Sequence, residues 1–458
     1  MSSKAVILLG ASLIMMGGAA MVRYSVESPV PVSEVSVAGL QAQKTSQASA
    51  EPIRPSALPT VSADAEWRAR VRQAVASANP SSAPSSEASG NPSASGSPGP
   101  AGTPTPIMLL DHRPSASPSA SASVAASPMP SPSGPLDLKT LHAQAVVVDT
   151  HVETPLLLTE TRTKLDKNPR GQVDLQRLKE GGVDVVFFSV FVNPWRYRKL
   201  AKSQADFIIK TIKQQVAAHP DKIELAYSYP DIQRIVAQGK IAGLMGMEGG
   251  DPLGSSLDNV DYFYKQGVRY LSPTWSTHTL LGDSASQRPR WKGLSKFGKE
   301  VIQRMNKLGM LVDVSHISDA AFYDVLKTST QPVIASHSGI RSVRMHARNL
   351  SNEMLKLLAD KGGTVGIYFY PPFIDVRRSS NLAKVVDHID AAVKLVGASH
   401  VGLGSDFDGL DAPPPVGLEN AAKFPAITAE LRKRGYSDTQ IQQVLGGSFM
   451  RVFEQVLR

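Results

Sequence analysis

The sequence predicts an α/β protein whose folded part is a single (β/α)8 barrel of the TIM type. A disordered Pro/Ser/Ala-rich tether and an N-terminal hydrophobic segment precede it. Three observations carry that expectation. Short apolar runs alternate with stretches of helical period; the helical stretches repeatedly stop at glycine; histidines and carboxylates gather where the apolar runs end.

Lys4 precedes an uncharged run over residues 5–22 that Arg23 closes. A run of this length falls between a long secretory core and a short membrane span, so residues 1–23 read as a signal peptide or a membrane anchor. Residues 24–135 are dominated by Ser, Pro, Ala and Gly. They have too little bulky apolar surface to offset the entropy of ordering them, and read as a tether with one helical stretch at 65–76. That leaves residues 136–458 to fold, a usual size for one barrel.

There is no cysteine among the 458 residues. Disulfides, thiolate nucleophiles and Cys-type zinc sites are thereby removed, and any metal must be held by His and carboxylates. The net charge is +9, but residues 136–458 contain no dense Lys/Arg run and no aromatic ladder. No nucleic-acid partner is expected, and mild basicity suits a surface near anionic envelope components.

The apolar runs are 145–149, 183–191, 241–247, 268–272, 310–314, 332–336, 364–368 and 401–405. Several are continuously apolar and rich in Val and Ile, as strands buried on both faces must be. Helical periodicity predicts helices over 204–218, 295–308, 319–326, 352–359 and 384–395, with closing helices over 418–434 and 438–457. Gly267, Gly309 and Gly362 stand where helices hand over to strands. A doubly wound open sheet would show the same alternation. The polar residues decide against it.

In a barrel the C-terminal strand ends converge on one mouth. The first run ends in Asp149-Thr150-His151-Val152-Glu153, and residues two apart on a strand face the same way. The third ends in Glu248-Gly249-Gly250, the fifth in Asp313-Val314-Ser315-His316, the sixth in Ser336-His337, the eighth in Ser405-Asp406-Phe407-Asp408. One such ending is commonly structural: a hydrogen-bonded His, a turn-forming Asp. Five together, without cysteine, suit a hard or borderline divalent cation. Glu248 could bridge two ions, His151 and Glu153 completing one shell, His316 and His337 the other. Asp406 would then move a proton between water and leaving amine.

These residues and their surroundings resemble the membrane (renal) dipeptidase family of zinc peptidases, within the wider amidohydrolase barrels. The resemblance extends from about residue 141 to 453. Its most specific stretches are Phe297-Gly298 through Met305-Asn306-Lys307-Leu308-Gly309-Met310 to His316, then Ser336-His337-Ser338, Arg348-Asn349-Leu350, Gly404-Ser405-Asp406-Phe407-Asp408-Gly409 and Gly447-Ser448-Phe449. It implies two zinc ions (Zn2+), or other divalent metals, on His151, Glu153, Glu248, His316 and His337. It implies proton transfer by Asp406 and capture of the substrate's terminal carboxylate by Arg348. It also implies dipeptide substrates, some with a C-terminal D-residue, and pairing as a homodimer; the N-terminal segment implies a cell-envelope location, membrane-anchored facing outward or exported.

Two positions depart from the family pattern. Glu153 stands where the family has aspartate, and Trp275 where it commonly has a histidine over the metal site. Indole is a donor only and cannot shuttle protons, so Trp275 is expected to shape substrate choice. His278, three residues on, reaches in from the loop or is a surface histidine. Two other functions stay open beside the dipeptidase: a tethered zinc-binding barrel without turnover, and a related amidohydrolase acting on lactams or N-acyl amino acids.

Overall fold

The computed structural model describes residues 134–161, 163–376 and 380–458. The expected signal or anchor at 1–23 and all but the last two residues of the tether at 24–135 lie outside them. Among the described residues no helix is long and apolar enough to cross a membrane.

Ten strands form: β1 Val147–Val152, β2 Val183–Phe191, β3 Ile223–Leu225, β4 Ile241–Glu248, β5 Val268–Ser272, β6 Leu311–Asp313, β7 Val333–Ile340, β8 Asn349–Leu350, β9 Thr364–Ile367 and β10 Val401–Leu403. Eight of them run in the order β1-β2-β4-β5-β6-β7-β9-β10, every pairing parallel. A bridge between Val152 and Phe407 joins the last segment back to the first. Thr150 Oγ1 adds a cross-link there, donating to the carbonyl of Leu403 at 3.0 Å. The expected eight-stranded barrel is therefore present, nearly closed.

β4 and β7 are buried along their whole length, as expected of strands covered on both faces. Inside the ring Tyr270 is fully buried. Its partner across the ladder is Gly246, and a Cβ there would lie 1.9 Å from the Tyr270 ring. The glycine makes the space that the tyrosine fills.

The helix Lys296–Leu308 starts at Ser295, whose hydroxyl accepts from the Gly298 amide, and stops at Gly309 with φ 73°. Gly267, φ 103°, ends Asp258–Gln266 in the same left-handed way. The helices Ala201–Ala217, Asp319–Thr328, Asn352–Asp360 and Leu382–Val396 lie where periodicity put them. Several boundaries differ. β7 runs four residues beyond the expected end, because Ser338 to Ile340 are buried and still pair. The last helical segment is three pieces, Asp438–Gln442, a wide turn at Gln443–Gly447 and Ser448–Val456, broken at Gly446, where a Cβ would meet the Val146 carbonyl at 2.2 Å. The short β3 and β8, pairing with β4 and β7, were not expected.

Candidate metal centre

The expected ligands lie at or near strand ends: His151 and Glu248 on β1 and β4, Glu153 and His316 just beyond β1 and β6, and His337 within β7. His151 is the penultimate residue of β1 and is fully buried. Glu153 was expected on the same strand face, but β1 has ended and Glu153 caps the helix Thr154–Glu160, with φ −88° and ψ 14°. The turn still carries its carboxylate to His151, Oε1 lying 3.3 Å from Nε2. Gly409 makes this position available: a Cβ there would lie 2.6 Å from Glu153 Cγ. Glu248 ends β4, and its two oxygens face different histidines. Oε1 lies 2.8 Å from His316 Nε2 and 3.3 Å from His337 Nε2, while Oε2 faces His151 Nε2 at 3.7 Å. Asp406 Oδ1 is 3.9 Å from His151 Nε2.

Two of these residues sit in strained backbone. His316 has φ 69° and Asp406 φ 64°, a left-handed conformation that side chains with a Cβ seldom adopt. Each costs on the order of 1–3 kcal/mol, so the surrounding structure must hold it. Two aspartates the sequence analysis did not single out brace the strand ends around the cluster. Asp149 accepts from the Ser405 amide at 2.8 Å and its hydroxyl at 2.6 Å, bracing β1 against the residue before Asp406. Asp313 accepts from the Ser336 amide at 2.8 Å and its hydroxyl at 2.6 Å, bracing β6 against the residue before His337.

The second brace also sets a tautomer. Ser336 has one hydroxyl hydrogen and gives it to Asp313, so its oxygen accepts from His337 Nδ1–H at 2.8 Å. His337 Nε2 is then left without a proton, its lone pair aimed into the site. His151 Nδ1 is held 2.6 Å from the Tyr270 hydroxyl, which leaves Nε2 facing the carboxylates.

Burial dominates the electrostatics. It pushes His316 and His337 well below the usual histidine range, so both are neutral bases. Burial, then the charge of Glu153, pushes Glu248 well above the carboxylate range. Burial pushes Asp406 up to about 7, against the opposing charge of His151. Glu153 feels the same burial, but its hydrogen bond to His151 and the charge of that ring bring it below its ordinary value.

The donor set fits a divalent cation. Ligand atoms of His151, Glu248 and His337 lie within 4.8 Å of one another. His316 and His337 turn their Nε2 atoms toward each other at 2.9 Å, and Glu153 Oε2 is buried without a hydrogen-bond partner. More lone pairs converge here than there are protons to share them.

Over the cluster lies a cavity of about 240 Å³, walled by Phe191, Trp275, Tyr370, Phe373 and Arg348. Arg348 is buried, donates to the His337 carbonyl at 3.2 Å, and leaves Nε unpartnered. Trp275 stands half-buried over His316, ring centroids 6.2 Å apart, and packs on Phe191 at 4.9 Å. His278 does not reach in. Its Nδ1 accepts from the Ser284 amide at 3.0 Å, so Nε2 donates to the Arg288 carbonyl at 2.7 Å. Both ring nitrogens are engaged in its own loop.

Residues 137–458 match the sequence profile described as membrane dipeptidase, peptidase family M19. The chain belongs to the membrane dipeptidase family. Among its relatives, dipeptidase tcpJ of Claviceps purpurea is 34% identical over 65% of this chain and 72% of its own length. Dipeptidase 3 of Rattus norvegicus is 35% identical over 68% of this chain and 65% of its own. Solved structures of similar proteins superpose on the barrel. The probable dipeptidase PvdM of Pseudomonas aeruginosa has a TM-score of 0.66 at 27% identity, covering 70% of this chain and 97% of that one. A metallopeptidase of Rhodobacter sphaeroides, bound to a phosphinate mimic of L-Ala-D-Ala, has 0.63 at 27%, covering 68% and 99%. As a membrane dipeptidase family member the protein is a metal-dependent peptidase, and the buried His/Glu cluster at the barrel mouth is a donor set that fits a metal.

Proposed function

We propose that the protein hydrolyses dipeptides with two zinc ions held at this centre. His151 and Glu153 would hold one, His316 and His337 the other, with Glu248 available to both. One observation carries the reading: the two oxygens of Glu248 are already divided, Oε1 toward His316 and His337, Oε2 toward His151. Bound there, zinc would supply Lewis acidity and bring the pKa of water toward neutrality.

The remaining work falls to the chain. Asp406 faces the cluster with its carboxyl near neutrality, poised to take a proton from the attacking water and return it to the leaving amine. Arg348 lines the same cavity with a buried guanidinium whose planar fork matches a substrate's terminal carboxylate. Phe191 and Trp275 keep the opposite wall apolar and shed water from the reacting bond. Trp275 has no proton to exchange and acts on substrate choice. A C-terminal D-residue belongs among the substrates, since the Rhodobacter sphaeroides relative accepts a mimic of L-Ala-D-Ala. The uncharged run at 5–22 and the Ser/Pro-rich stretch after it support a place in the cell envelope, by anchor or by export, with the barrel at the end of a tether. Pairing as a homodimer is part of the same family-based reading.

Three measurements bear on this. The first is hydrolysis of a panel of L-L, L-D and C-terminally amidated dipeptides by zinc-loaded and chelator-treated protein. Chelator-sensitive cleavage of free dipeptides, restored by zinc, is expected; cleavage of amidated dipeptides at equal rates would move the reading to another amidohydrolase reaction.

Zinc affinity should fall with acidity. Burial and the charge of Glu153 raise the Glu248 carboxyl well above its ordinary range, so as the pH falls Glu248 takes up a proton that the metal must displace. Affinity should drop about tenfold per pH unit for each proton displaced, read by chelator competition between pH 6 and 8. A flat profile would refute the assigned ligands.

Asp313→Asn tests the tautomer. The amide NH2 would donate to Ser336, whose hydroxyl hydrogen then turns to His337 Nδ1 and leaves a proton on Nε2. Zinc affinity should fall roughly 10–100-fold in a folded protein. Unchanged affinity would contradict the relay.

A further inference from the structure

A second cavity of about 500 Å³ adjoins the catalytic one. Neighbouring stretches of chain line both. β4 ends in Glu248 at the first and runs on into Gly250 and Asp251 at the second; the loop after β5 gives Trp275 and Ser276 to the first and Thr277 to Thr279 to the second. Trp195 lines the second cavity and meets Trp275 edge to face at 5.2 Å, so an aromatic pair stands between them.

The second cavity is lined by two guanidiniums, Arg198 and Arg290, against one carboxylate, Asp251. Among the described residues neither arginine is in an ion pair with a carboxylate; Arg290 lies over the Trp291 ring at 4.8 Å. Burial pushes the Asp251 carboxyl up, against the opposing charge of Arg198. Thr277 Oγ1 is buried, lines the cavity and has no hydrogen-bond partner. The lining thus carries two guanidiniums against one carboxylate, an excess of positive charge.

Strand order fixes its direction. The cavity is built after β2, β4 and β5, while Arg348 follows β7, on the far side of the ring from β2. A dipeptide whose terminal carboxylate is held at Arg348 therefore extends its N-terminal residue toward Arg198 and Arg290. We propose that this cavity is a subsite for an acidic side chain on the substrate's N-terminal residue, so that Glu or Asp there is preferred over the matching amide. The proposal rests on the dipeptidase reading above.

The test compares kcat/KM for L-Glu-L-Ala, L-Gln-L-Ala and L-Ala-L-Ala in the wild type and in the double variant Arg198→Gln, Arg290→Gln. Glu and Gln differ little in shape, so their ratio isolates the charge, and L-Ala-L-Ala is the reference within each protein. In the wild type the Glu:Gln ratio should be about tenfold, mostly through KM, as expected for charge-assisted hydrogen bonds at a partly wet site. In the double variant it should fall to about one. A wild-type ratio of one with L-Ala-L-Ala still cleaved, or a ratio undiminished in the double variant, overturns the subsite alone. If the zinc-loaded wild type cleaves none of the three, the dipeptidase reading falls and takes the subsite with it.

Discussion

Asp406→Asn should lower kcat on L-Ala-L-Ala by roughly 10²- to 10⁴-fold, the range expected when a positioned general acid–base is removed. KM and bound zinc should change little. Asparagine keeps the volume and can occupy the same left-handed backbone, φ 64°, so the strained turn survives. What is lost is a group that can hold a proton near neutrality, a property Asp406 owes to burial. The proton step is thus separated from metal binding, and metal analysis of the variant is the control. A variant retaining more than about a tenth of wild-type kcat would mean that another group carries the proton.

Arg348→Met should lower kcat/KM on free dipeptides by about 10²- to 10³-fold, as when one member of a buried, hydrogen-bonded charge pair is truncated. Methionine keeps the apolar stem and removes the fork. The loss should be much smaller on amidated dipeptides, which offer no carboxylate to the arginine. Arg348 also donates to the His337 carbonyl, so zinc content must be measured alongside. Equal losses on free and amidated substrates would place the effect in that backbone contact, and the arginine would no longer be the carboxylate's partner.

Much of this was legible in the sequence because the barrel has two simple rules. Strands buried on both faces read as apolar runs, and their C-terminal ends share one mouth. Those rules placed His151, Glu248, His316, His337 and Asp406, and the structure brings their side chains together. Glu153 arrived at the same cluster by a different route, through a helix cap and the space at Gly409, which strand alternation cannot foresee. The supports were less visible. Tyr270 reads as one more apolar residue of β5 until Gly246 is seen beside its ring. Asp149 and Asp313 stand in the strand-end motifs without a role of their own; only the pairing across neighbouring strand ends shows them holding Ser405 and Ser336. A useful signal was present, though: in both cases an Asp-x-His or Asp-x-x-His strand end has a Ser directly before a chemical residue on its neighbour. β3 and β8 escaped because segments of three and two residues are too short for periodicity to register.

The departure at Trp275 changes the mouth more than the cluster. The ligands do not depend on it: their nearest contacts are with one another and with buried braces. Its ring instead forms the wall between two cavities, meeting Phe191 on one side and Trp195 on the other. A histidine there would face the reacting bond; a tryptophan partitions the space and sets what can lie beside it. Substrate choice is where its consequence should appear.

The central claim is tested most directly by adding zinc to metal-free protein while following bound metal and L-Ala-L-Ala hydrolysis together. Glu248 shared between two ions predicts that hydrolysis rises to its maximum only as the second equivalent binds. Full activity at one equivalent, or hydrolysis that persists without metal, would contradict the account.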